Sequence, residues 1–218
     1  PSYLVSRDEE FKINFDPGQF FMISFEDNPA LRRAYSIASS PTQENYMDIT
    51  MDLVGEFTKK LWATQVGDYL LFKGPYGKFF FNESMKNNLV LIGGGLGITP
   101  LMSIIRYCND KKLQNKINLI YSVRAPEKIV YNEELKKIKT QNKNFNCTVT
   151  ITRPEEKHNW TGRTGRVDED LLKQNIEDVE NSIYYLCGPL EFVKAKIAIL
   201  ENLGAKKEQI KTDIWGEF

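Results

Sequence analysis

The pattern of apolar and polar positions divides the chain into two parts of different character. In the first part, short segments rich in aromatic and β-branched residues are separated by turns that contain Gly, Pro or Asp, which is typical of antiparallel strands. We predict four strands and one helix there, at residues 20–25, 34–38, 47–53 and 69–73 and at residues 58–65, respectively. Several short strands with a single helix indicate a small antiparallel β-barrel.

The segment 47–53 alternates strictly between apolar and polar residues, so a strand here has two unlike faces. The apolar face carries Met47, Ile49, Met51 and Leu53, and the polar face carries Asp48, Thr50 and Asp52. We expect the apolar face to pack on the core and the polar face to contact water.

In the second part, apolar strand patterns alternate with amphipathic helix patterns, which predicts a doubly wound parallel sheet with ligands at the carboxyl ends of its strands. We predict strands at 89–92, 117–123, 147–152 and 183–187, and helices at 99–110, 132–139, 168–173 and 190–203, with Gly204 ending the last helix. The polar segment 82–88 is the predicted linker. We therefore expect two domains, a β-barrel over 1–86 and an α/β domain over 87–218.

Composition limits the classes of function. Basic and acidic residues number 29 each, so no overall field favours nucleic acid or an anionic membrane. Cys108, Cys147 and Cys187 are an odd number without Cys-x-x-Cys pairs, which indicates a reducing compartment and neither a disulfide, a zinc site nor an iron–sulfur cluster. No apolar run approaches membrane-spanning length. We expect a cytoplasmic protein without a metal site, and, because Pro1 is not Met, the loss of an N-terminal piece.

The glycine-rich segment 93–100, Gly-Gly-Gly-Leu-Gly-Ile-Thr-Pro, directly follows a predicted buried strand and opens a helix. Thr99 suits the helix N-cap, and Pro100 suits the first helical position. Bare backbone and free helix N–H groups form an anion site, so we predict a phosphate-bearing ligand. The segment is not a G-x-G-x-x-G fingerprint, because Ile98 occupies the third position, and it is not a P-loop. A tight turn without a ligand is the alternative.

A second segment, Arg33-Ala34-Tyr35-Ser36, places Arg33 and Tyr35 on one face of a strand. A guanidinium suits a pyrophosphate, and a tyrosine ring offers a flat surface to an aromatic ligand. Taken alone, the segment is most simply an ordinary strand. Residues 55–58, Gly-Glu-Phe-Thr, open a helix whose N-terminus could also take phosphate. Two phosphate sites and an aromatic platform together indicate two nucleotide-like ligands.

Several ordered motifs resemble those of the ferredoxin–NADP reductase-like flavoprotein superfamily, and the chain is most similar to the flavin domains of oxygenase reductases and flavohaemoproteins. The motifs that carry this resemblance are Pro17-Gly-Gln-Phe20, Arg33-Ala-Tyr-Ser36, Gly55-Glu-Phe-Thr58, Gly74-Pro-Tyr-Gly77, Gly93-Gly-Gly-Leu-Gly-Ile-Thr-Pro100 and Cys187-Gly-Pro189. Each motif is weak alone, but their order and spacing are specific. The resemblance covers essentially the whole chain.

The resemblance implies FAD on the barrel and NAD(P)H on the α/β domain. Tyr35 would lie against the flavin ring, and Arg33 would bind the FAD pyrophosphate. The implied FAD-binding set is Arg33, Ala34, Tyr35, Ser36, Met51, Leu53, Gly55, Glu56, Phe57 and Thr58. The implied nucleotide-binding set is Gly94, Gly95, Gly97, Thr99, Pro100, Cys187, Gly188 and Pro189.

By the same resemblance, Ser36, Cys187 and Asp213 are the catalytic positions, which tune geometry and charge rather than perform acid–base steps. Many members of the family end with a carboxylate and an aromatic beside the flavin. Asp213 with Trp215 fits that pattern best, and Glu217 with Phe218 is the alternative. An aromatic residue there could cover the flavin until nicotinamide displaces it.

The choice between NADH and NADPH depends on the ends of the second and third parallel strands, Ser122-Val-Arg124 and Thr152-Arg153. A cation there favours the 2′-phosphate of NADPH, whereas a carboxylate favours NAD. Thr152-Arg153 suggests NADPH, but Pro154 follows and similar segments occur with either nucleotide. The sequence leaves this choice open.

The implied function is hydride transfer from NAD(P)H to FAD, with electrons then passing to a separate acceptor such as a ferredoxin-like protein, an oxygenase component or a haem protein. A free-flavin reductase is one alternative. A non-catalytic subunit that binds FAD and nucleotide for electron transfer or sensing is another, and oxidation of NAD(P)H with an artificial acceptor separates it from an enzyme. A flavin-free dehydrogenase is disfavoured by the two FAD-type motifs.

Overall fold

The first half of the chain folds into antiparallel sheets, as its alternating segments predict. The structure, a computed structural model, describes the backbone of residues 2–6 and all of residues 13–215. The elements of this half are β1 (Ser2–Ser6), β2 (Phe20–Phe25), β3 (Asn28–Ser36), β4 (Tyr46–Thr50), α1 (Glu56–Trp62) and β5 (Leu70–Tyr76). The helix is shorter than predicted and begins two residues earlier.

Strand β2 lies at the centre of a three-stranded sheet, between β3 and β5. Strands β1 and β4 form a separate antiparallel pair, which a bridge between Ile37 and Ile49 connects to the extension of β3. Apolar side chains from β2, β3, β4 and β5 and from α1 pack into one core cluster that includes Phe21, Ile23 and Leu61. The prediction of a small antiparallel β domain is confirmed.

The second half is a six-stranded, all-parallel sheet with strand order β11-β10-β6-β7-β8-β9. Its elements are β6 (Asn88–Gly94), α2 (Ile98–Asp110), β7 (Ile117–Val123), α3 (Asn132–Gln141), β8 (Phe145–Ile151), β9 (Arg163–Thr164), α4 (Glu169–Asn175), β10 (Ser182–Pro189), α5 (Leu190–Asn202) and β11 (Ile210–Trp215). This is the predicted doubly wound sheet. Gly204, at φ +95°, follows the end of α5 as predicted.

Strand β6 is apolar on both faces because each face is covered by helices. Leu89 and Leu91 belong to the core cluster that includes α2, whereas Val90 and Ile92 belong to the cluster that includes α4 and α5. We still propose the division of the chain near residue 86. The connecting segment packs across that division, because Phe79 and Phe81 belong to the first of these two clusters.

Two predictions about the start of α2 are wrong. Helix α2 begins at Ile98 with Gly97 as its N-cap, after a 3-10 turn over Gly95–Gly97. Thr99 therefore lies inside the first helical turn, where its hydroxyl donates to the carbonyl of Leu96 at 2.8 Å, and Pro100 is the third helical residue. The C-terminal segment was not predicted as a strand, yet β11 forms an edge of the sheet.

The prediction that the polar face of β4 contacts water is also wrong. Asp48 and Thr50 are each only 5% exposed. The second half of the chain covers them, because Arg106 of α2 forms an ion pair with Asp48 at 2.9 Å and the Tyr131 hydroxyl contacts that of Thr50. Of the polar face, Asp52 alone is exposed. The alternation in the sequence is genuine, but the polar face meets the other half of the molecule rather than solvent.

In the described ranges, 2–6 and 13–215, no helix is both long enough and apolar enough to cross a membrane.

Candidate functional site

The three residues predicted to be catalytic lie together where the two halves meet. Asp213 of β11 stands directly opposite Cys187 of β10, since these parallel strands pair in that register. One Asp213 carboxylate oxygen, Oδ2, accepts hydrogen bonds from the Ser36 hydroxyl at 3.4 Å and from the Cys187 thiol at 3.8 Å. Ser36 ends β3 of the first half. The structure thus joins three positions that lie far apart in the sequence.

Burial raises the pKa values of two side chains at this site, Asp213 and Cys187. Desolvation raises the pKa of Asp213, and the hydrogen bonds from Cys187 and Ser36 offset part of that rise. The Cys187 thiol is fully buried, so desolvation raises its pKa well above the usual value, and the adjacent Asp213 charge raises it further. Cys187 is therefore a thiol that donates a hydrogen bond, and the nucleophilic thiolate is disfavoured.

The glycine-rich segment owes most of its glycines to contacts within the protein. A Cβ on Gly97 would lie 2.1 Å from the carbonyl oxygen of Cys187, and a Cβ on Gly94 would lie 3.0 Å from the ring of Phe192. Gly188, opposite Gly94, meets the same ring. Gly97 thus lets the start of α2 approach the end of β10, whereas Gly94 and Gly188 leave room for the Phe192 ring of α5.

Gly95 differs from its neighbours. Its φ is +58°, and within 4 Å a Cβ there would meet only the Trp215 ring, at 4.0 Å. The backbone at Gly95 is therefore open at the head of α2, on the side where β11 ends. An open cradle of this kind fits a dinucleotide phosphate.

The two motifs expected to bind flavin contact each other through their aromatic residues. The rings of Tyr35 and Phe57 are stacked, with centroids 5.6 Å apart and an interplanar angle of 26°. The Thr58 hydroxyl accepts hydrogen bonds from the backbone N–H groups of Val54 and Gly55, at 3.0 and 3.1 Å, which fixes the start of α1. Desolvation raises the pKa of Tyr35, and the nearby Arg33 charge partly lowers it.

The other residues of the predicted FAD set differ in accessibility. Arg33, Ala34, Leu53 and Glu56 are exposed, so their side chains are available to a ligand. A Cβ on Gly55 would meet nothing within 4 Å. Met51 is 1% exposed within the core cluster, so its side chain serves packing. The exposed cation and the open backbone position suit an anionic cofactor.

The residues predicted to select between nucleotides lie at the carboxyl edge of the sheet. Arg124 and Arg153 are exposed and adjacent, because the Arg153 N–H donates to the Arg124 carbonyl at 2.9 Å. Thr152 is half-buried beside them, and Ser122 is buried. Thr99 and Pro100 are buried in α2, whereas Pro189 is exposed at the end of β10.

Trp215 is the last described residue, and it pairs in register with Pro189. Its side chain is 41% exposed and lies nearest the open position at Gly95. The alternative pair, Glu217 and Phe218, lies outside the described residues.

A cavity of about 300 Å³ adjoins the Asp213 group. It is lined by Gly18, Phe20, Gly77, Lys78, Phe79, Ile210, Lys211, Thr212 and Asp213. Sequence reasoning missed the two lysines, although Lys78 follows the Gly74-Pro-Tyr-Gly77 motif and Lys211 precedes Asp213 by two residues on the same strand. The Lys211 amine donates to the Phe80 carbonyl at 3.2 Å, and burial lowers its pKa.

No group of three or more His, Cys, Asp or Glu residues that could hold a metal ion occurs among the residues that have described side chains.

Comparison with protein families matches both halves of the chain. Residues 4–81 match the oxidoreductase FAD-binding domain, and residues 91–196 match the oxidoreductase NAD-binding domain. Together the matches include the Arg33-Ala-Tyr-Ser36 strand and the glycine-rich segment.

Two curated relatives are subunits F of Na(+)-translocating NADH-quinone reductases. That of Serratia proteamaculans is 28% identical over 223 residues, which cover 95% of this chain and 54% of the relative. That of Haemophilus ducreyi is 31% identical over 199 residues, which cover 84% of this chain and 48% of the relative. The chain thus spans about half the length of these relatives.

Solved structures have the same fold. The flavohem-like FAD/NAD-binding domain of nitric oxide dioxygenase from Vibrio cholerae has a TM-score of 0.83 and 22% identity, with coverage of 99% of this chain and 92% of that one. A ferredoxin NADP+ reductase from Neisseria gonorrhoeae, solved with FAD and NADP, has a TM-score of 0.80 and 24% identity, with coverage of 98% and 91%. The chain belongs to the ferredoxin–NADP reductase-like superfamily of flavoprotein oxidoreductases, with an FAD-binding domain followed by an NAD-binding domain.

Proposed function

We propose that this protein oxidises NADH through bound FAD and passes the electrons to a separate redox acceptor. The observation that carries the proposal is the meeting of Ser36, Cys187 and Asp213 at the junction of the two halves. The strand with the FAD-type motif and the strand beside the glycine-rich segment both end there, so the two cofactors would meet at this point.

The first half would hold the FAD. Arg33 and the open backbone at Gly55 would bind its pyrophosphate, and Tyr35, braced by Phe57, would provide the flat surface for its ring. The side chains of Ala34, Leu53 and Glu56 are exposed and would be available to the cofactor. The Thr58 hydroxyl would keep the turn at residues 54–55 in place.

The second half would hold the nicotinamide nucleotide. The open cradle at Gly95 would take the pyrophosphate, and Gly188 and Pro189 would border the nicotinamide. Arg124 and Arg153 would face the adenosine ribose. We propose NADH as the donor because both curated relatives described above are NADH-quinone reductase subunits. The two exposed arginines are the features of this chain that would favour NADPH.

Bound FAD supplies the hydride acceptor and can release electrons singly or in pairs. The chain's own residues supply position and electrostatics. Asp213 accepts hydrogen bonds from Ser36 and from Cys187 on one carboxylate oxygen. These two hydrogen bonds hold both side chains in fixed orientations. Because Cys187 remains a thiol, the site keeps a neutral sulfur beside the reacting centre rather than a second anion.

We propose that the acceptor is a neighbouring redox protein or a further domain. Support comes from the relatives, which are subunits of larger reductases and about twice as long as this chain. A ferredoxin-like protein, an oxygenase component or a haem protein would each serve as the acceptor.

We propose a cytoplasmic location for this domain. Cys108, Cys147 and Cys187 are free thiols, in keeping with that location.

The first experiment is a visible spectrum of the purified protein, followed by anaerobic addition of NADH and, in a separate sample, NADPH. We expect a yellow protein that NADH bleaches faster than NADPH. Faster bleaching by NADPH would reverse the proposed donor and assign a role to Arg124 and Arg153. A yellow protein that neither nucleotide bleaches would be a binding subunit. A colourless protein that cannot be reconstituted with FAD would exclude the proposal altogether.

A further inference from the structure

One face of helix α2 is hydrogen bonded to the first half of the chain. The Ser103 hydroxyl donates to the Ser39 carbonyl at 2.7 Å, and Asp110 accepts from the Thr42 hydroxyl at 2.5 Å. Between them along the helix lies Arg106, whose Nη1 donates to the Ala38 carbonyl at 2.9 Å. The spacing of these three residues along α2 places them on the same side of the helix.

Arg106 is the centre of this contact because it binds both halves at once. Its Nη1 also donates to Asp48 Oδ2 of the first half at 2.9 Å. Its Nε and Nη2 form a two-pronged pair with Glu134 of α3, at 2.8 and 2.7 Å. The guanidinium carbon lies 4.8 Å from the ring centroid of Tyr131. The Arg106 side chain is only 17% exposed.

The charges explain why the contact depends on arginine. Burial raises the pKa of Asp48, and Arg106 opposes that rise. Asp48 would therefore be a buried carboxylate without its counter-ion if Arg106 were removed. Lysine could replace the charge but not the planar group that reaches Asp48, the Ala38 carbonyl and Glu134 together. A single planar side chain thus makes hydrogen bonds to both halves, two to the first half and two to Glu134 of the second.

The position of this contact links the two proposed cofactor sites. Helix α2 begins at the glycine-rich turn Gly95–Gly97, nine residues before Arg106, which is about 14 Å along a helix. The Ala38 carbonyl lies two residues beyond Ser36, where β3 ends. A movement of α2 against residues 38–42 would therefore move the nucleotide cradle relative to the flavin surface.

We propose that Arg106 is a positioning residue, which holds the nucleotide-binding half at the distance and angle from the flavin-binding half that hydride transfer requires. The proposal rests on the proposed function. Arg106 lies outside the proposed contact sets of both cofactors, so its effect is on alignment. Small misplacements of reacting groups slow reactions strongly even where binding is kept.

The test compares Arg106→Ala, Arg106→Lys and Glu134→Gln with the wild-type protein. Arg163→Ala is the matched control, since Arg163 pairs with Asp168 at 2.9 Å entirely within the second half. Anaerobic stopped-flow absorbance gives the limiting rate of flavin reduction per bound flavin and, separately, the NADH dissociation constant. Hydrogen exchange of the ligand-free proteins reports on residues 38–43 without any need for turnover.

We expect Arg106→Ala to lower the limiting rate about tenfold or more, while the NADH dissociation constant changes by less than about threefold. Arg106→Lys and Glu134→Gln should lie between Arg106→Ala and wild type, and Arg163→Ala should match wild type. Residues 38–43 should exchange faster in Arg106→Ala alone among the alanine variants. This split between rate and affinity separates alignment from a general loss of structure.

A wild-type limiting rate in Arg106→Ala overturns the proposal, as does a loss confined to NADH affinity or flavin content. If Arg106→Ala does not fold, the Glu134→Gln variant tests the proposal instead, because Glu134 is half-exposed and the substitution keeps the shape of its side chain. An unchanged limiting rate in Glu134→Gln also overturns the proposal. Failure of wild-type flavin to be reduced would instead contradict the proposed function. In that case unchanged exchange of residues 38–43 in the Arg106 variants would separately contradict the link between the halves.

Discussion

At the scale of single residues, Gly97 illustrates how a sequence motif can have two origins. A glycine-rich turn before a helix is typical of phosphate sites, but the atom nearest a Cβ on Gly97 belongs to the backbone of Cys187. Packing against Cys187 thus requires a glycine at position 97. Of Gly95 and Gly97, only Gly95 has open space around its backbone. The same three-residue turn serves both purposes.

We expect Gly97→Ala to destabilise the protein by about 3 kcal/mol or more, because an added methyl group would lie 2.1 Å from a carbonyl oxygen that cannot move aside. The φ of Gly97 is −60°, so the cost is steric and not conformational. The measurement is the free energy of unfolding in urea, with the ligand-free protein.

Gly55→Ala is the control for this prediction. Gly55 also has a negative φ, of −155°, and a Cβ there would meet nothing within 4 Å. We expect its unfolding free energy to change by less than about 1 kcal/mol. Equal destabilisation by both substitutions would show that the contact with Cys187 is not the cause.

At the scale of secondary-structure elements, β11 carries more of the site than its length suggests. It pairs with β10 so that Asp213 lies opposite Cys187 and Trp215 lies opposite Pro189. Four of its residues, Ile210 to Asp213, line the cavity beside this group. An edge strand thus supplies both the carboxylate and the aromatic residue of the proposed hydride-transfer site.

We expect Trp215→Ala to tighten nucleotide binding about tenfold, since a stacked aromatic ring that nicotinamide must displace is worth about 1–3 kcal/mol. Trp215→Phe should retain most of the wild-type behaviour because it keeps a ring at the same position. Nucleotide titration of the FAD-loaded protein, with flavin fluorescence as a second readout, tests this. No change in either quantity for Trp215→Ala would exclude Trp215 as the covering residue.

At the scale of the whole molecule, buried acids of high pKa make the fold sensitive to alkali. Burial raises the pKa of Cys108 to about 12 from 9.0 and that of Cys147 to about 11. Burial, with help from Glu83, raises the pKa of Tyr107 to about 12 from 10.0. Each group stays protonated in the folded state over a pH range in which the unfolded chain has lost that proton.

The sign of the effect follows from proton linkage. Because the folded pKa values exceed the unfolded ones, the stability from these groups is complete below about pH 9 and is lost as pH rises toward 12. For Cys108 alone, we expect a loss of about 2 kcal/mol between pH 8 and pH 10.5. Urea denaturation at these two pH values measures it.

Cys108→Ala provides the control for the alkaline effect. The substitution removes a buried sulfur and lowers stability at all pH values, but it also removes one titrating group. The difference in unfolding free energy between pH 8 and pH 10.5 should therefore be smaller in the variant than in the wild type. An equal difference would assign the alkaline loss to other groups.

The sequence by itself determined the division into an antiparallel half and a doubly wound parallel half. Periodicity is a local property, so alternating segments such as 47–53 and the buried run at 89–92 indicate their own secondary structure. Tyr35, Cys187 and Asp213 were also identifiable, since each belongs to a short segment that resembles a motif of the flavoprotein superfamily. The residue roles themselves stay predictions.

Only the tertiary structure decided which polar residues are buried and which distant segments meet. Asp48 and Thr50 look solvent-facing in sequence, yet Arg106 and Tyr131 cover them. The edge strand β11 escaped prediction because its burial pattern is irregular and its order comes from pairing with β10. Contacts of this kind join residues tens to more than a hundred positions apart, and no local pattern encodes them because their free energy arises only when the two halves pack.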